Sequence, residues 1–152
     1  MGDTLTKELP PFTIRRAGLV DLERLGWLIA RLHERHPRVS PANIKVWLRS
    51  ASFSNEMWFG ITDHAAALVE VSRVPMERQP VATEVFVLAE SDEWTHEAAA
   101  MYPAMASWAA HLDCSTFEVD RFTDVTRIQI KKVMGINFIP RSTAYFTLGS
   151  VT

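Results

Sequence analysis

Four carboxylates crowd into one short stretch, Glu90, Asp92, Glu93 and Glu97, with His96 among them, directly after an apolar run from Val81 to Ala89. An apolar run, a polar loop and an alanine-rich segment read as strand, loop and helix. The start of such a helix exposes free N–H groups and a partial positive charge, which suits an anion such as phosphate. Carboxylates there compete for that role. They complement the helix dipole themselves, and together with His96 they could instead hold a cation; dipole complementation is the simpler reading. His33 and His36 have the i, i+3 spacing of a helical metal pair. No Cys or His partner lies near them in sequence, and a helix end favours histidine for its own dipole. No metal site is expected. The lone cysteine, Cys114, reads as a small buried apolar residue at a strand start, and it excludes an internal disulfide framework.

The elements that must position these groups follow from periodicity. Residues 1–11 are polar, end in Pro10-Pro11 and read as an N-terminal arm. Phe12–Arg16 alternates as a short strand. Leu22, Leu25, Leu28, Ile29 and Leu32 recur at helical spacing and predict one amphipathic helix over Leu19–His36. Ser40-Pro41 is a helix start, serine as N-cap and proline in the first turn. Met57–Thr62, Ala66–Val74 and Val81–Ala89 predict an antiparallel meander. Trp94–His111 carries seven alanines and predicts a helix, kinked or split at Pro103. Ser115–Val119 is a short strand. Arg121–Met134 fits a helix through Phe122, Val125 and Ile128, and a strand through Ile128 and Ile130. Gly135 stops it, and Ile136–Ile139 with Ala144–Leu148 form a final strand pair or one bent strand.

Composition sets bounds. The 152 residues suit one domain, expected over 12–152, and 47% hydrophobic with 22% charged residues is ordinary for a globular chain. A net charge of −2 gives no attraction to nucleic acid or an anionic membrane. The first residues show no signal peptide and no apolar run is long enough to span a bilayer. The expected location is cytoplasmic.

The order strand, helix, helix, three strands, helix, strand, helix, strand is similar to the GNAT acyltransferase superfamily. Three stretches carry the resemblance: FTIRRAGLVDLERL (12–25), VATEVFVLAE (81–90) and KKVMGINF (131–138). It implies an α/β (α+β) fold, a mixed β-sheet with helices on both faces, and a helix over Arg121–Met134. It also implies acetyl-CoA or another acyl-CoA as donor to an amine. The thioester would lie beside a splayed central strand, and the pyrophosphate on backbone N–H groups of the loop entering the third helix. Val87, Ala89, Thr95 and His96 are then the candidate cofactor-binding residues. Glu84, or Glu70 on the preceding strand, is the candidate general base, each otherwise a solvent-facing strand residue. Counting back from Gly135, Lys131 stands where the family often has a tyrosine acid, and is otherwise a solvated surface charge.

The chain departs from the family at the phosphate loop. Asp92 and Glu93 stand where Arg and Gly are usual, Thr95 and Glu97 where small residues are usual, and no glycine occurs between Ile61 and Leu112. Unit charges 4 Å apart interact by about 1 kcal/mol in water and about 4 kcal/mol near a protein surface. The sequence therefore predicts a degenerate GNAT-like protein without a bound cofactor, a binding or structural module docking on a protein partner or on itself. Small GNAT-like proteins of phage genomes resemble it in size and loop decay, which makes a virion role the alternative location. The alternative function is an active N-acyltransferase with a non-standard donor site, using acetyl-CoA. Five tryptophans, Trp27, Trp47, Trp58, Trp94 and Trp108, supply core and, in part, an interaction surface.

Overall fold

The computed structural model describes residues 12–73, 79–114 and 116–119, and the backbone of Asn137–Pro140. In chain order the elements are β1 (Arg15–Arg16), a 3₁₀ segment (Leu19–Arg24), α1 (Gly26–Arg35), α2 (Pro41–Phe53), β2 (Met57–Ile61), β3 (Ala65–Ser72), β4 (Val81–Ala89), a 3₁₀ turn (Asp92–Trp94), α3 (Thr95–His111), β5 (Thr116–Val119) and β6 (Asn137–Pro140). The strands form one sheet in the order β1-β2-β3-β4-β5-β6. Pairing is antiparallel from β1 to β4 and parallel from β4 to β6. The expected arm over residues 1–11, the expected helix over Arg121–Met134 and the strand at Ala144–Leu148 lie outside the described residues.

Each face of the sheet has its own core. On one, Leu28 and Leu32 of α1 and Ile44, Leu48 and Ala51 of α2 cover Phe59, Ile61, Ala66, Leu68 and Phe86. On the other, Ala98, Met101, Tyr102, Met105, Ala106 and Ala109 of α3 lie on Ala65, Ala67, Val69 and Ala82. Alanine facing alanine lets α3 sit close to the strands, which long side chains would prevent. The mixed sheet with helices on both faces is as the sequence predicts.

Local chemistry explains the element ends. Asn43 N donates to Ser40 Oγ at 3.1 Å, with Pro41 in the first turn, so α2 starts where expected. The single helix expected over Leu19–His36 is instead two segments. Gly18 N donates to Asp21 Oδ2 at 2.7 Å, and Arg15 donates to both oxygens of the same carboxylate, which ties Leu19–Arg24 to β1 as a tight 3₁₀ segment. Leu25, at φ −103° and ψ 31°, breaks the helical path, and Gly26, the poorest helix former short of proline, follows it. Pro103 does not split α3, which is continuous from Thr95 to His111; the proline lies on its exposed side. Where α3 ends, Asp113 takes a left-handed conformation at φ 65°. Asp113 N donates to Ala110 O and Cys114 N to Ala109 O, the paired bonds of a Schellman motif with aspartate in the place glycine usually fills. In β2, a Cβ on Gly60 would come within 2.1 Å of the Trp58 ring, so glycine there lets the buried indole lie along its own strand.

Candidate functional site

The site is built around an irregularity in β4. Leu68 opposes Phe86 and Val69 opposes Glu84, which leaves Val85 as an extra residue, a β-bulge. The bulge reverses the alternation of side chains. Before it, Ala82 joins the α3 core; after it, Val87 and Ala89 do, while Val85, Phe86 and Leu88 belong to the opposite core.

Glu84 therefore does not face solvent, as the alternation led us to expect. It is 2% exposed and accepts a hydrogen bond from Tyr102 Oη of α3 at 2.6 Å. Tyr102 was not singled out from the sequence; its only signal there was its place on the buried stripe of α3, next to Met101. Glu70, the other candidate base, is half-buried on β3.

β5 leaves β4 at the same point. The two strands pair at Val81, Ala82 and Thr83 only. From Glu84 to Ala89 no described residue pairs with β4 on that side. An extended strand with one unpaired edge presents N–H and C=O groups to whatever lies alongside. Val87 and Ala89 belong to this stretch, half-buried and buried respectively.

The four carboxylates do not act as one cluster. Glu97 is 3% exposed and accepts from Thr62 Oγ1 at 2.5 Å and from His64 N at 3.3 Å. Glu90 accepts from His64 Nδ1 at 3.0 Å. That hydrogen bond raises the His64 pKa above its usual value, against partial burial, and the His64 ring stacks on Trp94 with centroids 3.7 Å apart. Both acids are thus fastened to the β2–β3 turn. Glu97 is buried and Glu90, though exposed, is held by His64, while Asp92 and Glu93 are exposed at the entry to α3. The remaining loop candidates are not brought together at the free edge of β4. Thr95 is exposed, and its Oγ1 donates to Asp92 O at 3.2 Å. His96 packs between the rings of Phe12 and Trp94, with its Nε2 buried and without a partner among the described residues. Lys131 lies outside the described residues.

The other side of the bulge opens into a cavity of about 590 Å³. Leu32, Arg35 and His36 at the end of α1, Val39, Ile44 and Trp47 of α2 and the segment before it, and Val85 and Phe86 of β4 line it. Its floor begins two residues beyond Thr83, the last residue of β4 that pairs with β5. Trp47 is 37% exposed and meets Phe86 at 6.2 Å between centroids. The cavity escaped sequence reasoning because its walls come from three elements separated in the chain; Trp47, one of the tryptophans expected to mark a surface, was the only hint.

Cys114 is buried, and burial pushes its thiol pKa up, as fits a packing residue. His33 Nδ1 bonds Val39 O at 2.9 Å, and among the described residues no three His, Cys, Asp or Glu side chains gather as a metal site. No helix among the described residues is long and apolar enough to cross a membrane.

No protein-family model and no curated protein sequence matches the chain. Solved structures do. A probable acetyltransferase matches with a TM-score of 0.63 at 14% identity, over 82% of this chain and 89% of that one. Glucosamine-6-phosphate N-acetyltransferase from Arabidopsis thaliana matches with a TM-score of 0.61 at 10% identity, over 84% and 92%. AAC(6')-Iy, solved with a bisubstrate analog, CoA-S-monomethyl-acetylneamine, matches with a TM-score of 0.59 at 13% identity, over 84% and 92%. At such identities the likeness is one of architecture, and the chain has the fold of the GNAT acetyltransferases.

Proposed function

We propose that the chain is an acyl-CoA-dependent N-acyltransferase with a non-standard donor site. The observation that carries this reading is a coincidence on β4: its edge loses β5 after Thr83, beside a bulge whose other face floors a cavity. An extended donor arm suits the unpaired edge of β4, and an amine suits the cavity. The diphosphate end fits less well. Asp92 and Glu93 are exposed where it would meet the start of α3, and each opposes it by about 1 kcal/mol at 4 Å in water. Glu90 and Glu97 add less than the sequence implies, because His64 and Thr62 hold them. Weak donor binding follows, rather than none.

The donor supplies an activated acyl group. The chain's own residues then have to orient the amine and take its proton. Among the described residues no carboxylate lines the cavity; His36 does, and histidine is the side chain most often used for such proton exchange. Glu84, held by Tyr102 on the α3 face, is a positioning group at the fork between β4 and β5.

The test is the melting temperature with and without acetyl-CoA, followed by thiol release with amine acceptors. Saturation at a hundred times Kd stabilises by about 2.7 kcal/mol. No shift at millimolar acetyl-CoA and no thiol release sinks the reading. The second reading, a binding module without catalysis, is favoured by the glycine-free loop and by exposed Val20, Val46 and Phe53, which would dock a protein partner or a second copy. A cytoplasmic location fits both readings and a virion fits the second; fractionation of the expressing cell or particle separates them.

A further inference from the structure

We infer that the cavity beneath Trp47 accepts an amine of a particular chemistry: a hydrophobic α-amino carboxylate, with an aromatic-sized apolar body and an anionic end, and not a polycation. This rests on the acyltransferase reading above and names its acceptor.

The apolar part of the argument is the lining. Trp47 and Phe86 form an aromatic corner, with rings inclined at 59°, and Ile44 and Val85 continue it. Trp47 stays more than a third exposed at the cavity mouth, and Val39 beside it is exposed too. A body that covers it removes apolar surface from water, and about 590 Å³ lies within the range of small-molecule sites.

The charged part is the rim. Among the described residues Arg35 and His36 are the charged or polar side chains of the lining, which includes no Asp or Glu. Arg15, Lys45 and Arg73 are paired with Asp21, Glu23 and Glu56. Arg35, like Arg38 and Arg49, has no ion pair among the described residues, and it stands in the lining of the cavity. A guanidinium in that position takes a carboxylate as two parallel hydrogen bonds. It repels a polyamine or an aminoglycoside, which would need acids in the wall.

The reaction balances as an acyl transfer. The acceptor ammonium loses one proton to His36 or water, the resulting amine nitrogen forms the bond to the acyl carbon, the carbon–sulfur bond breaks, and the second proton lost from nitrogen passes to the departing thiolate. The product is an N-acyl carboxylate, still held by Arg35 through the anionic end.

Calorimetric titration of the full chain without donor tests the pocket by itself, using L-tryptophan, indole-3-propionate, tryptamine and kanamycin. L-tryptophan and indole-3-propionate bind; tryptamine, which lacks the carboxylate, binds roughly tenfold or more weakly, the worth of a charge-assisted pair; kanamycin gives no heat of binding. Arg35→Gln removes the advantage of tryptophan over tryptamine, and Arg35→Lys restores part of it. Arg35 is an exposed helix-end residue, so both variants fold, which the melting temperature checks. Tryptamine or kanamycin binding more tightly than tryptophan, or an unchanged preference in Arg35→Gln, overturns the inference. Thiol release from acetyl-CoA keeps the two readings apart. Arg35-dependent tryptophan binding without thiol release removes the acyltransferase reading and leaves the pocket chemistry standing. Thiol release with kanamycin and none with tryptophan does the reverse.

Discussion

The two faces of the sheet solve different problems. On the α3 face, alanines bring helix and strands close, and the buried carboxylates there, Glu84 and Glu97, are each held by a named donor. On the α1/α2 face, the bulge at Val85 and the end of α1 leave a cavity with a half-open tryptophan and a guanidinium without an acid partner among the described residues. The α3 face, with its buried carboxylates held and its alanines packed on the strands, holds the fold together. A face with uncovered apolar surface is organised for something outside the chain. The same strand, β4, serves both, because one extra residue turns its side chains from one face to the other.

Truncation on each face gives the largest contrast. Met101 is fully buried under α3, so Met101→Ala costs about 2–5 kcal/mol in a urea or thermal unfolding experiment. Trp47→Ala, at the cavity mouth, costs less than half as much in stability while abolishing ligand binding there. Equal stability losses for the two variants would mean that Trp47 belongs to the core and that the faces do not differ.

A smaller effect is expected at the fork. Tyr102→Phe removes the hydrogen bond to Glu84 without changing shape, and taking a partner from a buried polar group costs about 1–3 kcal/mol. Chemical denaturation of Tyr102→Phe beside the parent protein reads this directly. A Tyr102→Phe protein as stable as the parent would show that the buried carboxylate does not depend on that tyrosine.

The α2 start and the meander were legible because each is announced locally, by Ser40-Pro41 or by runs of strand-forming residues between turns. The helices were legible from the leucine spacing over Leu22–Leu32 and the alanines of Trp94–His111, and their placing on both faces from the resemblance. The site was not. Val81–Ala89 is apolar at nearly every position, so its alternation gives no sign that one residue is inserted, and a lone acid in it reads as outward although helices cover both faces. The crowd of acids was read as one electrostatic unit because they are neighbours in sequence. In the fold, Glu90 and Glu97 are claimed by the β2–β3 turn, more than twenty residues upstream. The break between Leu19–Arg24 and α1 was hidden for a like reason: leucine spacing fits one helix, and only the Arg15–Asp21 contact makes the first part turn tightly.

Protonation separates two clamps by their opposite signs. Arg15, and then the Gly18 amide, hold the Asp21 carboxyl below its usual range, so its contribution is present above the ordinary carboxylate pKa and is lost as pH falls through the lowered value. Glu90 holds His64 above its usual value; that contribution is complete below the unfolded pKa and is lost as pH rises through the raised one. Melting temperature against pH then declines at both ends. Asp21→Asn flattens only the acid limb and His64→Gln only the limb near and above neutrality. Each is a modest effect, since Arg15 and His64 are partly exposed and salt screens them. A neutral limb that survives His64→Gln assigns it to another group.

The smallest change expected is a gain, at the end of α3. Asp113 holds a left-handed backbone that costs an L-residue roughly 1–2 kcal/mol, less for aspartate than for most because its short side chain bonds locally. Glycine avoids that cost but loses more entropy on folding. Asp113→Gly therefore stabilises by about 0.5–1 kcal/mol, seen as a higher melting temperature. Asp113 adjoins Cys114, which leads into β5 behind the α3 face and away from the cavity. Ligand binding beneath Trp47 should stay as it was. A variant that melts higher but binds L-tryptophan less well would show that the two faces are mechanically linked through β5 and the fork, and the division of labour between them would have to be redrawn as a coupling.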